Sequence, residues 1–338
     1  MAPDYNAMVE HTLSEWGVHY KTVFIDRTGT NLFRDFCAVR SLYKAIKRIQ
    51  PDVVLSYTIK PVIYGSIAAG WYGVKSINSM VTGLGWGFNK ELNLKGRLIR
   101  NIIIRMYRYA AKQNSAVIFQ NPDDQQVFID EGIVTASKTY RIYGSGADID
   151  HYTYSPPPKG PIRFLFIGRL IREKGLLDFI EACKRLKQSY PEIECDVLGG
   201  FDTNPGAVSK DLLNRLNSEN VINLPGRVDD VRPYIRRASV FVLPSYYGEG
   251  TPRTALESMA MGRPLIMADS PGCRETVAEG ENGFLVPVKD PVALAGAMEK
   301  FIKNPGLIVP MGKRSREIAE EKYDVRKVNR DIIRILGV

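Results

Sequence analysis

The sequence predicts an α/β protein made of two doubly wound domains, each a parallel sheet with helices on both faces. Short apolar segments alternate with amphipathic helical segments along the whole chain, a pattern that is typical of parallel sheets. The chain has 338 residues, about the length of two domains, and a proline-rich stretch at residues 155–161 divides it near its middle. We therefore expect domains at residues 1–154 and 162–322 that face each other across a cleft.

The elements follow from hydrophobic periodicity. In the first half, the sequence predicts strands over residues 18–25, 52–56, 75–81 and 115–120, and helices over residues 7–16, 33–49, 62–71 and 95–113. In the second half, it predicts strands over residues 162–167, 194–198, 221–224, 240–244 and 264–268, and helices over residues 175–190, 210–217 and 253–261. The apolar run at residues 52–56 indicates a short buried strand.

The beginning of the first predicted domain is unusual. Residues 2–5 resemble the tail of a strand, and a helix follows at once. A doubly wound domain normally opens with a strand, a glycine-rich turn, a helix and a second strand, which together take about 30 residues. We therefore expect the first domain to lack its opening strand–helix–strand unit, as the result of a truncated start; a fold that never had this unit is the alternative.

The composition is that of an ordinary folded protein and excludes disorder, collagen-like sequence and coiled coils. The four cysteines show no metal-binding spacing, which favours reduced thiols in a cytoplasmic protein. The net charge of +9 is unevenly distributed, because residues 90–112 hold seven basic residues and one acidic residue. This local surplus predicts an anionic partner such as phosphate or a membrane surface.

Two segments of the second half combine charged residues with the ends of predicted strands. The turn at residues 168–175 follows a strand and carries Arg169 and Lys174 at its two ends, where they can clamp a pyrophosphate. Further along, Glu249 lies in a loop and Glu257 lies about one turn into a helix whose N-terminus is a potential anion site. Glu257 is flanked by apolar residues, so its carboxylate is expected to be buried and to need partners.

These segments also carry a family resemblance. GRLIREKG (168–175), LPGRVDDV (224–231), LPSYYGEGTPRTALESMAMGRPLI (243–266) and ENGFLVPVKD (281–290) resemble the retaining glycosyltransferases of family 4, which have the two-domain GT-B fold. YTIKPVIYGSIAA (57–69) and INSMVTGLGWGF (77–88) are similar to the bacterial branch that builds capsule, O-antigen and N-glycan precursors on a polyprenyl-diphosphate lipid. The resemblance covers essentially the whole chain.

The resemblance implies how a nucleotide-sugar donor is held. Arg169 and Lys174 would bind the donor diphosphate, Glu257 the ribose, and Glu249 the donor sugar near its reacting carbon. Further donor-binding positions implied in this way are Gly168, Gly226, Arg227, Val228, Gly250, Thr251 and Pro252. The donor would be a UDP-sugar, with an N-acetylhexosamine favoured, and neither a metal ion nor a cofactor would be needed. Residues 323–338 would cross back to the first domain.

The first half is expected to hold the polyprenyl-diphosphate-linked acceptor. The predicted helix at residues 95–113 carries its basic residues on one face, with Leu98, Ile99, Ile102, Met106 and Tyr109 on the other. We expect the basic face to contact an anionic membrane, at the inner face of the plasma membrane. The candidate acceptor and membrane residues are Lys60, Thr82, Gly83, Arg97, Arg100, Arg105 and Arg108. Many members of the family have a first-domain histidine, and none of His11, His19 and His151 matches it; backbone groups of residues 82–85 can substitute.

Retention of configuration leaves two mechanisms open. Glu249 could act as a nucleophile in a double displacement. We favour attack on the face that the diphosphate leaves, with the cations at residues 169 and 174 stabilising the charge that develops.

Other functions remain as alternatives. The glycines at residues 83, 85 and 87 lack the spacing of a dinucleotide fingerprint, which argues against a dehydrogenase. No recognition motif supports nucleic-acid binding despite the isoelectric point of about 9.2. A sugar-nucleotide 2-epimerase of the same fold, and an inactive transferase homologue acting as a membrane-associated assembly partner, stay open.

Overall fold

The computed structural model describes residues 1–25, 32–85, 88 and 94–338. The chain divides into two compact units. The first comprises Met1–Arg141 and Ile333–Val338, and the second comprises Ile142–Ile332. The boundary therefore lies at residue 141, whereas the sequence analysis put it at residue 154. Of the predicted C-terminal segment, residues 333–338 are grouped with the first unit and residues 323–332 with the second.

The first unit contains a parallel sheet of four strands in the order β1-β2-β3-β4. Its strands are β1 (Val53–Tyr57), β2 (Ser76–Val81), β3 (Ala116–Phe119) and β4 (Thr139–Arg141), and its helices are α1 (Ala7–Glu15), α2 (Leu32–Ile49), α3 (Ile59–Tyr72), α4 (Leu94–Gln113) and α5 (Pro122–Asp130). Eight consecutive residues of α3 are buried, which matches its apolar sequence. The helix lies so close to β1 at Gly65 that a Cβ there would clash with the Ser56 side chain.

Two expectations for the first unit were wrong. The strand predicted at residues 18–25 is reduced to a single parallel bridge between Ala2 and Thr22, with hydrogen bonds of 3.0 and 2.9 Å. The strand predicted to be buried, β1, forms an edge of the sheet and is mostly half-buried. Periodicity alone could not show either outcome, because burial of a strand depends on its neighbours in the sheet.

A cavity of about 580 Å³ lies beside β1 within the first unit. Its lining includes residues 1–3 and residues 54–58, with apolar side chains from α2. Most of the lining is apolar, with contributions from Val23, Ile25, Leu42, Ile46, Val54 and Ile59. Four residues of β1 thus line this cavity, and β1 pairs with no strand other than β2 among the described residues.

The second unit contains a parallel sheet of six strands in the order β10-β9-β8-β5-β6-β7. These are β5 (Arg163–Ile167), β6 (Glu194–Leu198), β7 (Asn223–Gly226), β8 (Val240–Leu243), β9 (Leu265–Ala268) and β10 (Gly283–Val286). The helices are α6 (Leu176–Ser189), α7 (Lys210–Ser218), α8 (Arg232–Arg237), α9 (Arg253–Ala260), α10 (Pro291–Lys303), α11 (Ile308–Lys322) and α12 (Val325–Leu336). The strand order reverses at β5, so the loops after β5 and β8 meet at a switch point, where open α/β sheets bind ligands.

The proline-rich stretch begins as part of the second unit and not as a free linker. The guanidinium of Arg263, which is completely buried, donates 2.8 Å hydrogen bonds to the carbonyl oxygens of Ser155 and Ile235. Arg316 likewise donates to the carbonyl oxygens of Ile149 and Tyr152, which lie just before the proline-rich stretch. These contacts explain why residues 142–155 group with the second unit.

Candidate active site

The first part of the site is the turn between β5 and α6. The strand is buried, and the chain leaves it at Gly168, whose N–H donates to the carbonyl oxygen of Leu198 over 3.0 Å. The turn closes at Gly175, which has a φ of 73°. A Cβ at this position would clash with the carbonyl oxygen of Pro244, so the close approach of the two loops requires glycine.

Arg169 extends from this turn and pairs with a carboxylate from the loop after β6. Its Nε donates to Asp202 over 2.8 Å. The hydrogen bond from Arg169 is the largest cause of the low pKa of Asp202, which falls to about 2. Arg169 therefore stays charged and in place although almost half of its side chain is exposed.

Lys174, at the other end of the turn, forms an ion pair with Glu249. Both side chains are mostly buried, and the hydroxyl of Ser245 donates to Glu249 over 3.0 Å. The ammonium of Lys174 lies 5.7 Å from the centre of the Tyr247 ring. The structure thus groups Lys174 and Glu249 around Tyr247, while Arg169, at the other end of the same turn, pairs with Asp202.

The start of α9 adjoins this group along the chain. Gly250 and Thr251 are buried, and Pro252 precedes the helix without a side-chain cap. Thr254 in the first turn donates to the carbonyl oxygen of Ile167, the last residue of β5, over 3.3 Å. The N-terminus of α9 therefore lies at the carboxyl end of β5, where its partial positive charge can act on an anion.

Glu257 lies on α9 and is buried, as the sequence predicts. Burial raises the pKa of its carboxyl group, and the hydroxyl of Tyr152 and the guanidinium of Arg253 partly oppose this shift. The distance from Arg253 Nη2 to Glu257 Oε1 is 3.5 Å. Burial together with the carboxylate also raises the pKa of Tyr152 to about 12. The contacts of Glu257 with Tyr152 and Arg253 do not join it directly to the group around Tyr247.

The remaining donor candidates lie at the end of β7. Gly226 has a φ of 82°, and its carbonyl oxygen accepts a 3.1 Å hydrogen bond from the N–H of Gly199. Arg227 is exposed, whereas Val228 packs against the core. They lie beyond the carboxyl ends of β6 and β7, on the same edge of the sheet as residue 168.

The acceptor candidates of the first unit lie at the carboxyl ends of β1 and β2. Lys60 is in the first turn of α3 and donates to Asp35 over 3.1 Å. Thr82 and Gly83 directly follow β2. The residue before α3, Thr58, has a φ of 70°, a strained conformation for a β-branched residue and one that is often found at functional sites.

The helix α4 differs from the expectation in one respect. Arg97 and Arg105 are exposed, as predicted, but Arg100 pairs with Glu131 and Arg108 donates to the carbonyl oxygen of Glu131. Leu98, Ile102 and Tyr109 were assigned to an opposite, apolar face, and the structure exposes them. The buried stripe of the helix consists of Ile104, Tyr107, Ala110 and Ala111. The exposed face therefore mixes basic and apolar side chains.

Tyr247, Asp202 and Tyr152 were not identified from the sequence. The doubled tyrosine in SYYGEG (245–250) was a weak signal, since aromatic rings often contact the cations of a binding loop. Nothing in the sequence pointed to the other two, because their contacts join segments far apart in the chain.

In the part of the chain that the structure describes, no three His, Cys, Asp or Glu side chains form a group that could hold a metal ion. None of the described helices is both long enough and apolar enough to span a bilayer.

Comparisons with known proteins assign this arrangement to a class. The folds of the two units are those of GT-B glycosyltransferases: the chain superposes on the crystal structure of HepE from Anabaena in complex with UDP-glucose with a TM-score of 0.79, at 20% identity, covering 98% of this chain and 90% of that one. The profile of the family "Glycosyl transferases group 1" matches residues 154–322, and that of "Glycosyl transferase 4-like" matches residues 10–121. The chain belongs to the glycosyl transferases group 1 family.

Two curated relatives align over most of the chain. The N,N'-diacetylbacillosaminyl-diphospho-undecaprenol alpha-1,3-N-acetylgalactosaminyltransferase of Campylobacter jejuni is 25% identical, covering 84% of this chain and 76% of that protein. The UDP-Gal:alpha-D-GlcNAc-diphosphoundecaprenol alpha-1,3-galactosyltransferase of Escherichia coli is also 25% identical, covering 88% and 78%. A putative colanic acid biosynthesis glycosyltransferase of Escherichia coli is 30% identical, covering 56% of this chain and 49% of its own length.

Proposed function

We propose that this protein is a retaining glycosyltransferase that moves a hexosamine-type sugar from a UDP-sugar to a polyprenyl-diphosphate-linked saccharide. The observation that carries the proposal is the position of Arg169 and of the Lys174–Glu249 pair at the two ends of the turn after β5, at the switch point of the second sheet and next to the N-terminus of α9. Two cations and a helix N-terminus at one strand edge suit a diphosphate.

In the proposed mechanism, the bond between the anomeric carbon and the diphosphate breaks, and the acceptor hydroxyl attacks the same face. Charge grows on the leaving diphosphate, which takes the proton of the hydroxyl. Arg169 and Lys174 stabilise that charge without a metal ion. Glu249, held by Ser245 and Lys174, would contact the sugar, and the buried Glu257 would accept hydrogen bonds from the ribose.

The acceptor class is supported by the two relatives, whose names specify undecaprenyl-diphosphate-linked acceptors. One of them transfers N-acetylgalactosamine and the other galactose. We favour an N-acetylhexosamine as the donor sugar. An inactive homologue that binds the donor without transferring it, and an epimerase that acts on the free nucleotide sugar, are the alternatives.

We also propose that the protein works in the cytoplasm at the inner face of the plasma membrane. Leu98, Ile102 and Tyr109 are exposed on α4 beside Arg97 and Arg105. Apolar side chains of this kind enter the interface of a bilayer, while each basic residue near an anionic surface contributes about 1 kcal/mol. Such a face favours reversible attachment.

The test is a transfer assay with labelled UDP-N-acetylhexosamines and an undecaprenyl-diphosphate-linked saccharide in vesicles. The changes Arg169→Ala and Lys174→Ala should each lower turnover by about 100- to 1000-fold, as loss of a group that stabilises developing charge does. Arg172→Ala is the matched control, since Arg172 is an exposed cation of the same turn, and we expect turnover within about threefold of the original. A chelator should leave the rate unchanged.

The same assay separates the alternatives. Near-normal turnover in both variants would refute the assigned roles. Donor binding without product would favour the inactive homologue, and interconversion of free nucleotide sugars the epimerase. Sedimentation of the protein with the vesicles should increase with anionic lipid and decrease with salt, and indifference to both would contradict membrane attachment.

A further inference from the structure

One oxygen of Glu249 accepts hydrogen bonds from two donors that lie on different segments. Oε1 accepts from the ammonium of Lys174, in the turn after β5, and from the hydroxyl of Ser245, two residues beyond the end of β8, over 3.0 Å. The side chain of Glu249 is only 12% exposed. A carboxylate that is buried to this extent needs partners, so the loss of either donor on ligand binding has a consequence for its position.

The bond from Lys174 is the one that a diphosphate would disturb. On the proposed function, the ammonium of Lys174 binds the leaving diphosphate, which carries more negative charge than a carboxylate. The diphosphate therefore competes with Glu249 for this ammonium. The ion pair between Lys174 and Glu249 then weakens at the moment when the carboxylate has to meet the sugar.

The bond from Ser245 comes from a residue that the protein itself holds in place. Ser245 is completely buried. Its carbonyl oxygen accepts a 2.7 Å hydrogen bond from the hydroxyl of Ser270, in the loop after β9, and its own hydroxyl accepts one from the backbone N–H of Tyr247 over 3.3 Å. The carbonyl oxygen of Glu173 lies 3.4 Å from the same hydroxyl, but the carboxylate of Glu249 is closer and charged, and is therefore the stronger acceptor.

We infer that Ser245 is a positioning residue for Glu249: its hydroxyl keeps the carboxylate at the donor sugar after the diphosphate has engaged Lys174. This inference rests on the proposed function. It follows that Ser245 affects the binding of the nucleotide sugar and not that of the free nucleotide, because only the nucleotide sugar brings a sugar to Glu249.

Calorimetric titration of the whole protein with UDP, UDP-N-acetylglucosamine and UDP-N-acetylgalactosamine tests the inference. We expect Ser245→Ala to bind the nucleotide sugar about tenfold more weakly, the size expected for one hydrogen bond to a charged group, and to bind UDP within about twofold of the original protein. Ser245→Cys, which is close to serine in size but a weak donor, should shift the nucleotide-sugar affinity in the same direction.

The matched control is Ser270→Ala, which removes the buried hydroxyl that bonds the backbone of Ser245. The ratio of the nucleotide-sugar affinity to the UDP affinity should stay unchanged in this variant. A double-mutant cycle then separates positioning from a merely structural role. In the Glu249→Ala background, Ser245→Ala should leave the same ratio unchanged, because the carboxylate that it positions is gone. An equal fall of the ratio with and without Glu249 would overturn the inference, and so would equal weakening of UDP and the nucleotide sugar in Ser245→Ala.

Failure of the inference and failure of the proposed function give different results. If Glu249→Ala lowers the ratio of affinities and neither Ser245 variant does, the inference fails and the role proposed for Glu249 stands. If Glu249→Ala leaves the ratio unchanged, the role proposed for Glu249 is wrong and the inference fails with it. An original protein that binds neither nucleotide sugar would overturn the proposed function, and the inference with it.

Discussion

Both cations of the candidate site are already engaged by carboxylates. Arg169 pairs with Asp202, and Lys174 pairs with Glu249. A diphosphate that binds between them must share or replace these carboxylates, so its affinity is a difference between two sets of charge-assisted hydrogen bonds. On the proposed function, the carboxylates keep the cations extended in the absence of donor, which lowers the entropy lost when the donor binds.

At neutral pH, the charged Glu257 should make the original protein less stable than the variant Glu257→Gln. Burial raises the pKa of this carboxyl group in the folded state. The protonated carboxyl group therefore stabilises the folded protein fully at pH values below the ordinary pKa of glutamate. This contribution is lost as the pH rises through the folded-state pKa. We expect the Tm of Glu257→Gln, relative to the original protein, to increase between about pH 4 and about pH 7. Thermal unfolding of both proteins over this pH range measures the difference.

The control for this pH dependence is Glu219→Gln, at an exposed carboxylate of the same unit. Its Tm relative to the original protein should stay flat over the same range. If the Tm of Glu257→Gln relative to the original protein instead decreases as the pH rises, the partners of the charged carboxylate stabilise it despite its burial. If the folded Glu257→Gln variant also binds UDP more weakly, Glu257 has a role in binding that is separate from its effect on stability.

At the scale of single residues, the burial of Glu257 could be predicted because apolar residues flank it on its helix. Arg169 and Lys174 could be selected as candidates because they flank one turn, and their binding roles stay predictions. Asp202 and Tyr152 could not be chosen, because each meets its partner across tens of residues of chain. Exposure of Leu98 and Ile102 was missed because helical periodicity does not say which face a neighbouring element covers.

At the scale of elements, the approach of the turn before α6 to the end of β8 depends on one glycine. In Gly175→Ala, the new Cβ would clash with the carbonyl oxygen of Pro244 while the backbone holds a φ of 73°. We expect a loss of more than about 2 kcal/mol in the free energy of unfolding, since both strain and a backbone shift contribute. Urea denaturation measures it.

The matched control is Gly296→Ala in the exposed interior of α10, where a Cβ meets open space. There, alanine should raise the free energy of unfolding by about 0.5–1 kcal/mol, because it is the better helix former. Equal effects of the two changes would show that the contact between the two loops does not require glycine.

Strands could be predicted from the sequence where the apolar run is continuous and both faces of the strand are covered. The strands β5, β6 and β8, buried on both faces, agree with the sequence within a residue. β4, with three half-buried or exposed residues, and α8, with six residues, carry too little periodicity to be recognised. The predicted strand at residues 18–25 alternates correctly but has only residue 2 to pair with among the described residues.

At the scale of the whole molecule, the division into two α/β units followed from the repeated alternation of strands and helices. Its position did not, because the proline-rich stretch looks like a linker. The buried guanidinium of Arg263, which holds Ser155, decides that residues before the prolines belong to the second unit. A boundary therefore depends on contacts that composition does not reveal.

The side of β1 that pairs with no other strand among the described residues has a consequence for how its backbone amides exchange with water. In the parallel pairing of β1 with β2, the carbonyl oxygen of Asp52 accepts from the N–H of Ser76, and Val53 lies opposite Ser76. The N–H groups of residues 54 and 56 then point toward β2, and those of residues 53, 55 and 57 point away from it. Deuterium should accordingly enter this strand at every second residue, quickly at Leu55 and slowly at Ser56. Residue-resolved exchange by NMR would show this alternation, and uniform retention along the strand would mean that another segment pairs with its outer side.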